Sequence, residues 1–337
     1  MKKYNVAVVG VGAVGIEMLR CLRKRRFPIG ELRIFARSSR KIQVDSRGYS
    51  VEEISSQGFT GIDIALFAGT EGEKGAAVTY AHEAVKRGAV VIDNGADFRM
   101  KKGVPLVVPE INAKDVKNHK GIIANPNCST IQMVMALWPI YKKAGINRVI
   151  ATTLQAASGA GRSAVEQLRQ ENARIASGGF FNLKAHLQNK AMPQQLAYNV
   201  FPHIGAFGDY DYTSEEWKMV QETRKILHDK RIRISATTVR VPVRTGHSEA
   251  IYIETKKPVS VVTVRNILSR TKGIKLIDKP RDNSYPVPLD CEGRDEVFVG
   301  RIRKDPFVGK GIWLWVVSDN LLKGAALNAV QIAELLI

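Results

Sequence analysis

Val6-Ala7-Val8-Val9-Gly10-Val11-Gly12-Ala13-Val14-Gly15-Ile16-Glu17-Met18-Leu19-Arg20-Cys21-Leu22 is the stretch that decides the fold. Small and β-branched apolar residues make a strand, a glycine turn follows it, and the residues beyond carry apolar side chains at helical spacing. A G-x-G-x-x-G turn is a weak signal by itself. One that follows a strand and opens a helix presents backbone N–H groups to a pyrophosphate at the helix N-terminus, which is the fingerprint of a dinucleotide site. Gly10, Gly12, Ala13 and Val14 are therefore candidate cofactor contacts.

Moving outward, a second apolar run, residues 32–35, ends at Ala36-Arg37-Ser38-Ser39-Arg40. An acid at this place would bond a ribose 2′-hydroxyl, whereas Arg37 and Ser38 suit a 2′-phosphate, so the spacing points to NADP. Residues 62–67, 90–92 and 106–108 read as further buried strands, and residues 75–87 as a helix, the alternation of a parallel doubly wound sheet. Beyond residue 128 the strands lengthen and become rich in Val, Ile and Thr, at 149–154, 232–243, 250–254 and 297–303. These suit the mainly antiparallel sheet of an α+β domain. Residues 214–229 read as a helix among them, and residues 321–337 have the apolar spacing of a helix that buries one face. No internal repeat or low-complexity tract is visible.

The composition agrees with a soluble two-domain chain: 337 residues, 45% hydrophobic and 25% charged, which excludes intrinsic disorder as the main state. The cysteines, Cys21, Cys128 and Cys291, are odd in number, scattered, and lack C-x-x-C spacing, so neither a disulfide framework nor a metal site is expected. A reducing, cytoplasmic setting follows. The N-terminal apolar run stops at Gly10, too short for an export signal. The long uncharged stretch 121–141 holds Asn125, Pro126, Asn127, Gln132 and Pro139, so no membrane association is expected. Lys and Arg exceed Asp and Glu by 51 to 32, a formal charge of +19. The basic residues cluster modestly at 20–26 and are interrupted by acids elsewhere, without a basic arm or nucleic-acid motif. Nucleic-acid binding is not expected. An attractive field for small anions, or simply a basic surface, explains the charge.

Asn125-Pro126-Asn127-Cys128-Ser129-Thr130 precedes a helical run, Ile131-Gln132-Met133-Val134-Met135-Ala136-Leu137. With Asn127 as N-cap, Cys128 falls in the first helical turn, where free N–H groups and the dipole favour a thiolate. Cys128 is accordingly read as a nucleophile, and Cys21 and Cys291 as small buried hydrophobes. Of the six histidines, His82, His119, His186, His203 and His228 suit structural or solvated roles. His247, in Gly246-His247-Ser248-Glu249, falls on a loop at a strand end, where catalytic groups are commonly carried.

With these residues in view, the chain resembles aspartate-semialdehyde dehydrogenase over nearly its whole length. The matching stretches are Phe98-Arg99-Met100, Val107-Val108-Pro109-Glu110-Ile111-Asn112, residues 125–130, Gln155-Ala156-Ala157-Ser158-Gly159-Ala160-Gly161, and residues 215–219, 240–247 and 319–331. Several motifs in the right order are more specific than one glycine turn. The resemblance implies reversible, phosphate-dependent interconversion of L-aspartate 4-semialdehyde and L-4-aspartyl phosphate with NADP. That step is shared by lysine, diaminopimelate, threonine, methionine and isoleucine synthesis.

It carries Cys128 over as the nucleophile that forms the thiohemiacetal and thioester, His247 as acid/base and Gln155 as the residue that orients the acyl group. Arg240 is implied to grip the α-carboxylate and Glu215 to receive the ammonium group, with Ser158 also at the substrate. Arg99 and Lys218 are implied phosphate ligands, and Gly159, Asn320 and Gln331 cofactor contacts. By local sequence, Arg99 and Arg240 read as surface arginines, and Glu215 and Lys218 as an ordinary i,i+3 pair.

The implied architecture is a Rossmann-like NADP-binding domain, residues 1–127 and 323–337, with a catalytic and dimerisation domain, residues 128–322, in a homodimer or homotetramer. Three departures stand out. The family's glycine turn is the longer Gly-Ala-Thr-Gly-Ala-Val-Gly; Asp93-Asn94-Gly95-Ala96-Asp97 replaces Asp-Asn and two serines; and Gly69-Thr70-Glu71 replaces a Gly-Gly-Ser turn. An inward Asp97 or Glu71 would weaken the cofactor or phosphate site. An N-acetyl-glutamyl-phosphate reductase shares the thioester and hydride logic, but Glu215, Lys218 and Arg240 match the aspartyl motifs. A non-catalytic paralogue acting as a binding protein would not need Cys128, Gln155, Arg240 and His247 together. From Arg37 and Ser38 we expect kcat/KM for NADP⁺ to exceed that for NAD⁺ by about tenfold, the worth of a charge-assisted hydrogen bond; equal values in steady-state assays would reject the assignment.

Overall fold

The computed structural model describes residues 2–69, 75–178 and 191–337. Two compact units divide them, Met1–Asn127 with Gly324–Ile337, and Cys128–Lys323.

In chain order the first unit contains β1 (Tyr4–Val9), α1 (Ala13–Lys24), β2 (Ile29–Ala36), β3 (Arg40–Val44), β4 (Arg47–Glu53), β5 (Ile64–Phe67), α2 (Ala76–Lys86), β6 (Val90–Asp93), α3 (Pro109–Asn112) and β7 (Ile122–Ala124). They form one sheet in the order β3-β4-β2-β1-β5-β6-β7, parallel except for the β3–β4 hairpin. Burial explains the apolar runs: Val6, Ala7 and Val8 of β1 and Ala65 and Leu66 of β5 are fully enclosed, as strands covered on both faces must be. β1 lies between β2 and β5, where the winding reverses, and the glycine turn leaves its carboxyl end at that switch point.

The turn admits little else. Gly10 has φ +100°, and a Cβ on Gly15 would lie 1.9 Å from the Gly10 carbonyl oxygen. The family departure of a shorter turn therefore still closes β1 tightly onto α1.

Two expectations change in this unit. Residues 106–108 form no strand: Leu106 makes a single bridge to Ala124, and Pro109 then starts α3, because proline's fixed φ suits the first helical position. The β3–β4 hairpin was not expected, since its strands have one polar, solvent-facing side; its tight turn holds Asp45 at φ +54°. Asp45 also accounts for part of the basic cluster, pairing with Arg20 at 2.9 Å and with Arg23, while Arg25 pairs with Glu334 at 2.6 Å.

The second unit contains α4 (Cys128–Ala144), β8 (Ile146–Gln155), α5 (Arg162–Ala176), α6 (Ser214–Ile226), β9 (Arg233–Arg240), β10 (His247–Thr255), α7 (Val261–Ser269), β11 (Ile274–Leu276), α8 (Pro288–Cys291), β12 (Val297–Lys304) and β13 (Gly311–Ser318). The chain then returns to the first unit as α9 (Leu327–Glu334). The second sheet runs β11-β12-β13-β10-β8-β9; its three central pairings are antiparallel and its two outer ones parallel. α6 starts with a capping box in which Thr213 and Glu216 satisfy each other's backbone N–H groups.

Strand direction assembles the site. β8 and β9 run parallel and finish side by side at Gln155 and Arg240; β10, antiparallel to β8, begins there at His247; β13 ends there at Ser318, opposite His247.

Gly15→Ala should destabilise the first unit by about 3 kcal/mol, the upper end for overpacking against rigid backbone, and abolish dinucleotide binding. Denaturant unfolding and NADPH fluorescence titration test this; an unchanged midpoint with normal affinity would contradict it.

Candidate active site

Cys128 is the first residue of α4 and is half-buried, while Ser129 to Leu137 behind it are buried. An accessible sulfur at a helix N-terminus is where a thiolate is stabilised. The other two cysteines are enclosed, and burial pushes the Cys291 thiol up to about 12, which makes it inert.

Arg240 is not a surface arginine: it is 4% exposed, its Nη1 donates to the Ala156 carbonyl at 2.5 Å, and its Nε has no hydrogen-bond partner. It makes no ion pair of its own among the described residues. Burial lowers its pKa, and the charges of Glu215 and Cys128 oppose that, which places both near the guanidinium. A buried cation with an unused donor is costly unless an anion completes it.

His247 is the first residue of β10 rather than part of a loop, because Gly246 at φ +94° makes the turn and the strand starts at once. It is fully buried, its Nδ1 accepts from the Ala156 N–H at 3.0 Å, and its Nε2 has no partner. Burial, and then the Arg240 charge, hold its pKa well below the ordinary value, so the ring is neutral. One residue, Ala156, thus anchors both functional groups.

Gln155 and Glu215 are joined: Gln155 Nε2 donates to Glu215 Oε1 at 3.1 Å, and Lys218 Nζ stands 3.5 Å from Glu215 Oε2. The i,i+3 pair is a buried carboxylate with a half-buried ammonium, unlike the solvated pair expected locally. Asn320 Oδ1 accepts from Ser158 Oγ at 3.0 Å and from Gly246 N–H at 2.9 Å, fastening the Ser158 turn to the start of β10. Gly159 lies against the catalytic edge; a Cβ there would be 2.9 Å from both Cε1 and Nε2 of His247.

The remaining expected contacts lie in the first unit. Arg99 is also buried, its Nη2 donating to the Asn94 carbonyl at 2.7 Å and its Nε to the Asn125 carbonyl at 2.9 Å. Arg37 and Ser38 are exposed after β2, and Arg40 Nη1 donates to Ser38 Oγ at 3.2 Å. Gln331 Nε2 donates to Glu110 at 3.2 Å. Gly10, Gly12, Ala13 and Val14 form the β1–α1 turn, whose helix start lacks a side-chain cap. Asp93 accepts from the Gly95 N–H at 2.9 Å and Asp97 is half-buried, while Glu71 and His186 lie outside the described residues.

Three residues were missed by the sequence reading. Ala156 acts through its backbone, which no residue type advertises. Gln132 is one helical turn after Cys128 and accepts from Ser318 Oγ at 2.8 Å. Glu249, two residues after His247 on the same strand face, is fully buried and neither carboxyl oxygen has a well-formed hydrogen bond. Burial drives its pKa well up, with the Gln132 amide pulling the other way. The apolar-polar alternation of β10 hides this acid, since both faces of the strand are covered.

A dinucleotide-type first unit joined to a second unit with a cysteine at a helix start, a neutral histidine and a buried arginine has the build of a dehydrogenase. The model of the semialdehyde dehydrogenase NAD binding domain matches residues 5–119, and that of the dimerisation domain matches residues 137–323. The aspartate-semialdehyde dehydrogenase of Aquifex aeolicus is 51% identical, over 99% of this chain and 98% of its own, and that of Bacillus subtilis 46%, over 98% and 96%. The crystal structure of the Vibrio cholerae enzyme II, complexed with ASA, superposes with a TM-score of 0.93 at 42% identity, over 100% of this chain and 98% of that one. The chain belongs to the aspartate-semialdehyde dehydrogenase family.

Gly159→Ala should lower kcat by about a hundredfold, as misplacement of groups by about 1 Å can, and also lower the melting temperature, because the His247 ring that must move is buried and held by Ala156. Steady-state kinetics beside a thermal melt check this; unimpaired kcat would show that Gly159 does not bear on His247.

Proposed function

We propose that this chain catalyses the reversible, NADPH-dependent reductive dephosphorylation of L-4-aspartyl phosphate to L-aspartate 4-semialdehyde. The observation that carries the reading is Arg240: a buried guanidinium with an unpartnered Nε, beside Cys128 and His247, asks for the carboxylate of a small substrate. Glu215, held by Gln155, offers a buried carboxylate for an ammonium group on the same molecule. An α-amino acid satisfies both.

Cys128 attacks the acyl carbon, and phosphate leaves as the thioester forms. Lys218 and Arg99 neutralise the departing phosphate, and Gln155 and Ser158 orient the acyl group. His247 acts at the oxygen that gains and loses charge. The β1–α1 turn fits a pyrophosphate, since the space before Gly12 is open, Gly15 lets the helix close onto the Gly10 carbonyl, and the helix start has no side-chain cap competing for its N–H groups. Gly10, Gly12, Ala13 and Val14 would hold the diphosphate, Arg37 and Ser38 the 2′-phosphate, and Gly159, Asn320 and Gln331 other parts of the cofactor. Asn320 has its Oδ1 engaged, so it would contribute its amide N–H. When bound, NADPH supplies the hydride.

The dimerisation domain supports an oligomer, and we take it to be a homodimer, alone or paired into a tetramer. Free, scattered cysteines support a reducing cytoplasm as its setting, and among the described residues no helix is long and apolar enough to cross a membrane. The product serves lysine, diaminopimelate, threonine, methionine and isoleucine synthesis in this reading.

Cys128→Ala should abolish phosphate-dependent NADP⁺ reduction by aspartate semialdehyde, followed by absorbance, while NADP⁺ affinity stays within about twofold, because the contacts that hold the cofactor are elsewhere. Near-normal turnover would reject the thioester route. Faster turnover of N-acetylglutamate semialdehyde would reject the aspartyl substrate.

A further inference from the structure

We propose that Glu249 is a positioning residue for the nucleophile: from β10 its side chain braces Gln132 on α4, and through that helical turn it holds the Cys128 sulfur in its reactive place. This rests on the functional reading above, in which Cys128 is the nucleophile, and gives a role to a buried acid that the reaction does not otherwise use.

Two periodicities bring the groups together. Residues four apart share one face of a helix, so Gln132 stands one turn behind Cys128 on α4. Residues two apart share one face of a strand, so Glu249 follows His247 along β10, against which α4 packs. Ser318, opposite His247 on β13, donates from its Oγ to Gln132 Oε1 at 2.8 Å. With its oxygen taken by β13, the Gln132 amide has only its Nε2 hydrogens left. Neither that nitrogen nor either Glu249 oxygen has a well-formed bond to another group, and Gln132 is the one hydrogen-bonding side chain that acts on the carboxyl. Buried polar groups enclosed together in this way must serve one another.

On its other side the same acid adjoins the substrate-orienting chain. Thr153, paired with Glu249 across the β8–β10 ladder, is fully buried, and its Oγ1 donates to Gln155 Oε1 at 3.1 Å. Gln155 Nε2 donates onward to Glu215 Oε1 at 3.1 Å. Glu249 therefore lies between the helix that carries the cysteine and the strand that carries the glutamine.

The brace acts as a neutral carboxyl. The residues that meet Glu249 are Gln132 from α4, Thr153 from β8 and Val316 from β13, none of them charged, and His247 two residues back is neutral. Burial without a cation keeps the proton on, which leaves one O–H donor and one carbonyl acceptor for the amide. An ionised Glu249 would set a negative charge near a sulfur that must itself become negative, and so raise that thiol's pKa. The charges and dipoles that act on the sulfur are instead the Arg240 guanidinium and the N–H groups that open α4. Glutamine has the shape of a protonated glutamate and is neutral at every pH, so it can stand in for Glu249.

The test compares Glu249→Gln with Glu249→Ala in the full-length protein by two readouts. One is steady-state oxidation of aspartate semialdehyde with phosphate and NADP⁺. The other is the pH profile of Cys128 alkylation by iodoacetamide without substrate, with the modified residue located by mass spectrometry. Glu249→Gln should keep kcat within about twofold of the wild type and leave the alkylation profile in place. Glu249→Ala should lower kcat by about tenfold or more at nearly constant KM and move the alkylation profile to higher pH, because the first turn of α4 loses its support. Gln132→Met should move the profile the same way, and the double variant no further than Glu249→Ala alone. A tenfold loss in Glu249→Gln overturns the proposal, since it would require an ionised carboxylate. A wild-type alkylation profile in Glu249→Ala overturns it too, whatever the melting temperature does, as do additive shifts in the double variant. Where the alanine variant does not fold, the Gln132→Met profile decides in its place. No turnover by the wild type overturns the functional reading instead, and the alkylation profiles then still report on the brace.

Discussion

The Ala156 peptide is the constraint around which the second unit's site is organised. Its two polar ends reach in opposite directions, the N–H to the His247 ring and the carbonyl to the Arg240 guanidinium. Buried polar groups must find partners, and here one backbone unit satisfies a base-like nitrogen and a cation at once. Burial, and then the cation, keep the ring neutral, and the ring's neutrality spares the site a second uncompensated charge. Displacing the turn from Gln155 to Gly161 would disturb the histidine and the arginine together. Gly159 sits in that turn against the ring for the same reason: there is no room for a side chain.

The first unit depends on an analogous restriction at β1–α1. Gly10 accepts a conformation that other residues rarely adopt, and Gly15 lets the helix pack onto the Gly10 carbonyl. An uncapped helix start at the switch point of a parallel sheet leaves N–H groups free to meet an anion, and Arg37 and Ser38 are exposed at the end of β2. The formal charge of +19 has less to do with this chemistry than the raw number suggests. Arg20, Arg23 and Arg25 of the basic cluster are engaged by Asp45 and Glu334, while Arg99 and Arg240 are buried. Exposed ion pairs of this kind contribute little stability each, so they shape the surface more than the fold.

Legibility followed covering and period. The residue 6–9, 62–67 and 90–92 runs were readable because strands enclosed on both faces are nearly continuous in apolar residues; in the second, β5 starts at Ile64, just after Asp63. The β3–β4 hairpin escaped because its alternation is polar on one face, and residues 106–108 misled because they are buried and apolar yet run between Pro105 and the start of α3. Cys128 was legible from its place before a helical run. His247 was narrowed to a strand end but not to the strand itself, since the positive φ of Gly246 compresses the turn into one residue.

What the sequence by itself determined is most of the elements, the glycine turn and the place of Cys128 at a helix start, because these follow from local backbone rules and from short-range periodicity. What only the tertiary structure decided is the electrostatic state of the site. Arg240 and Arg99 look like surface residues in a list of neighbours along the chain, and Glu249 like an ordinary polar position in a strand. The shared Ala156 peptide joins residues 84 and 91 positions apart, brought together by a parallel strand and an antiparallel one. Ionisation depends on desolvation and on charges in space, and neither is a property of sequence separation.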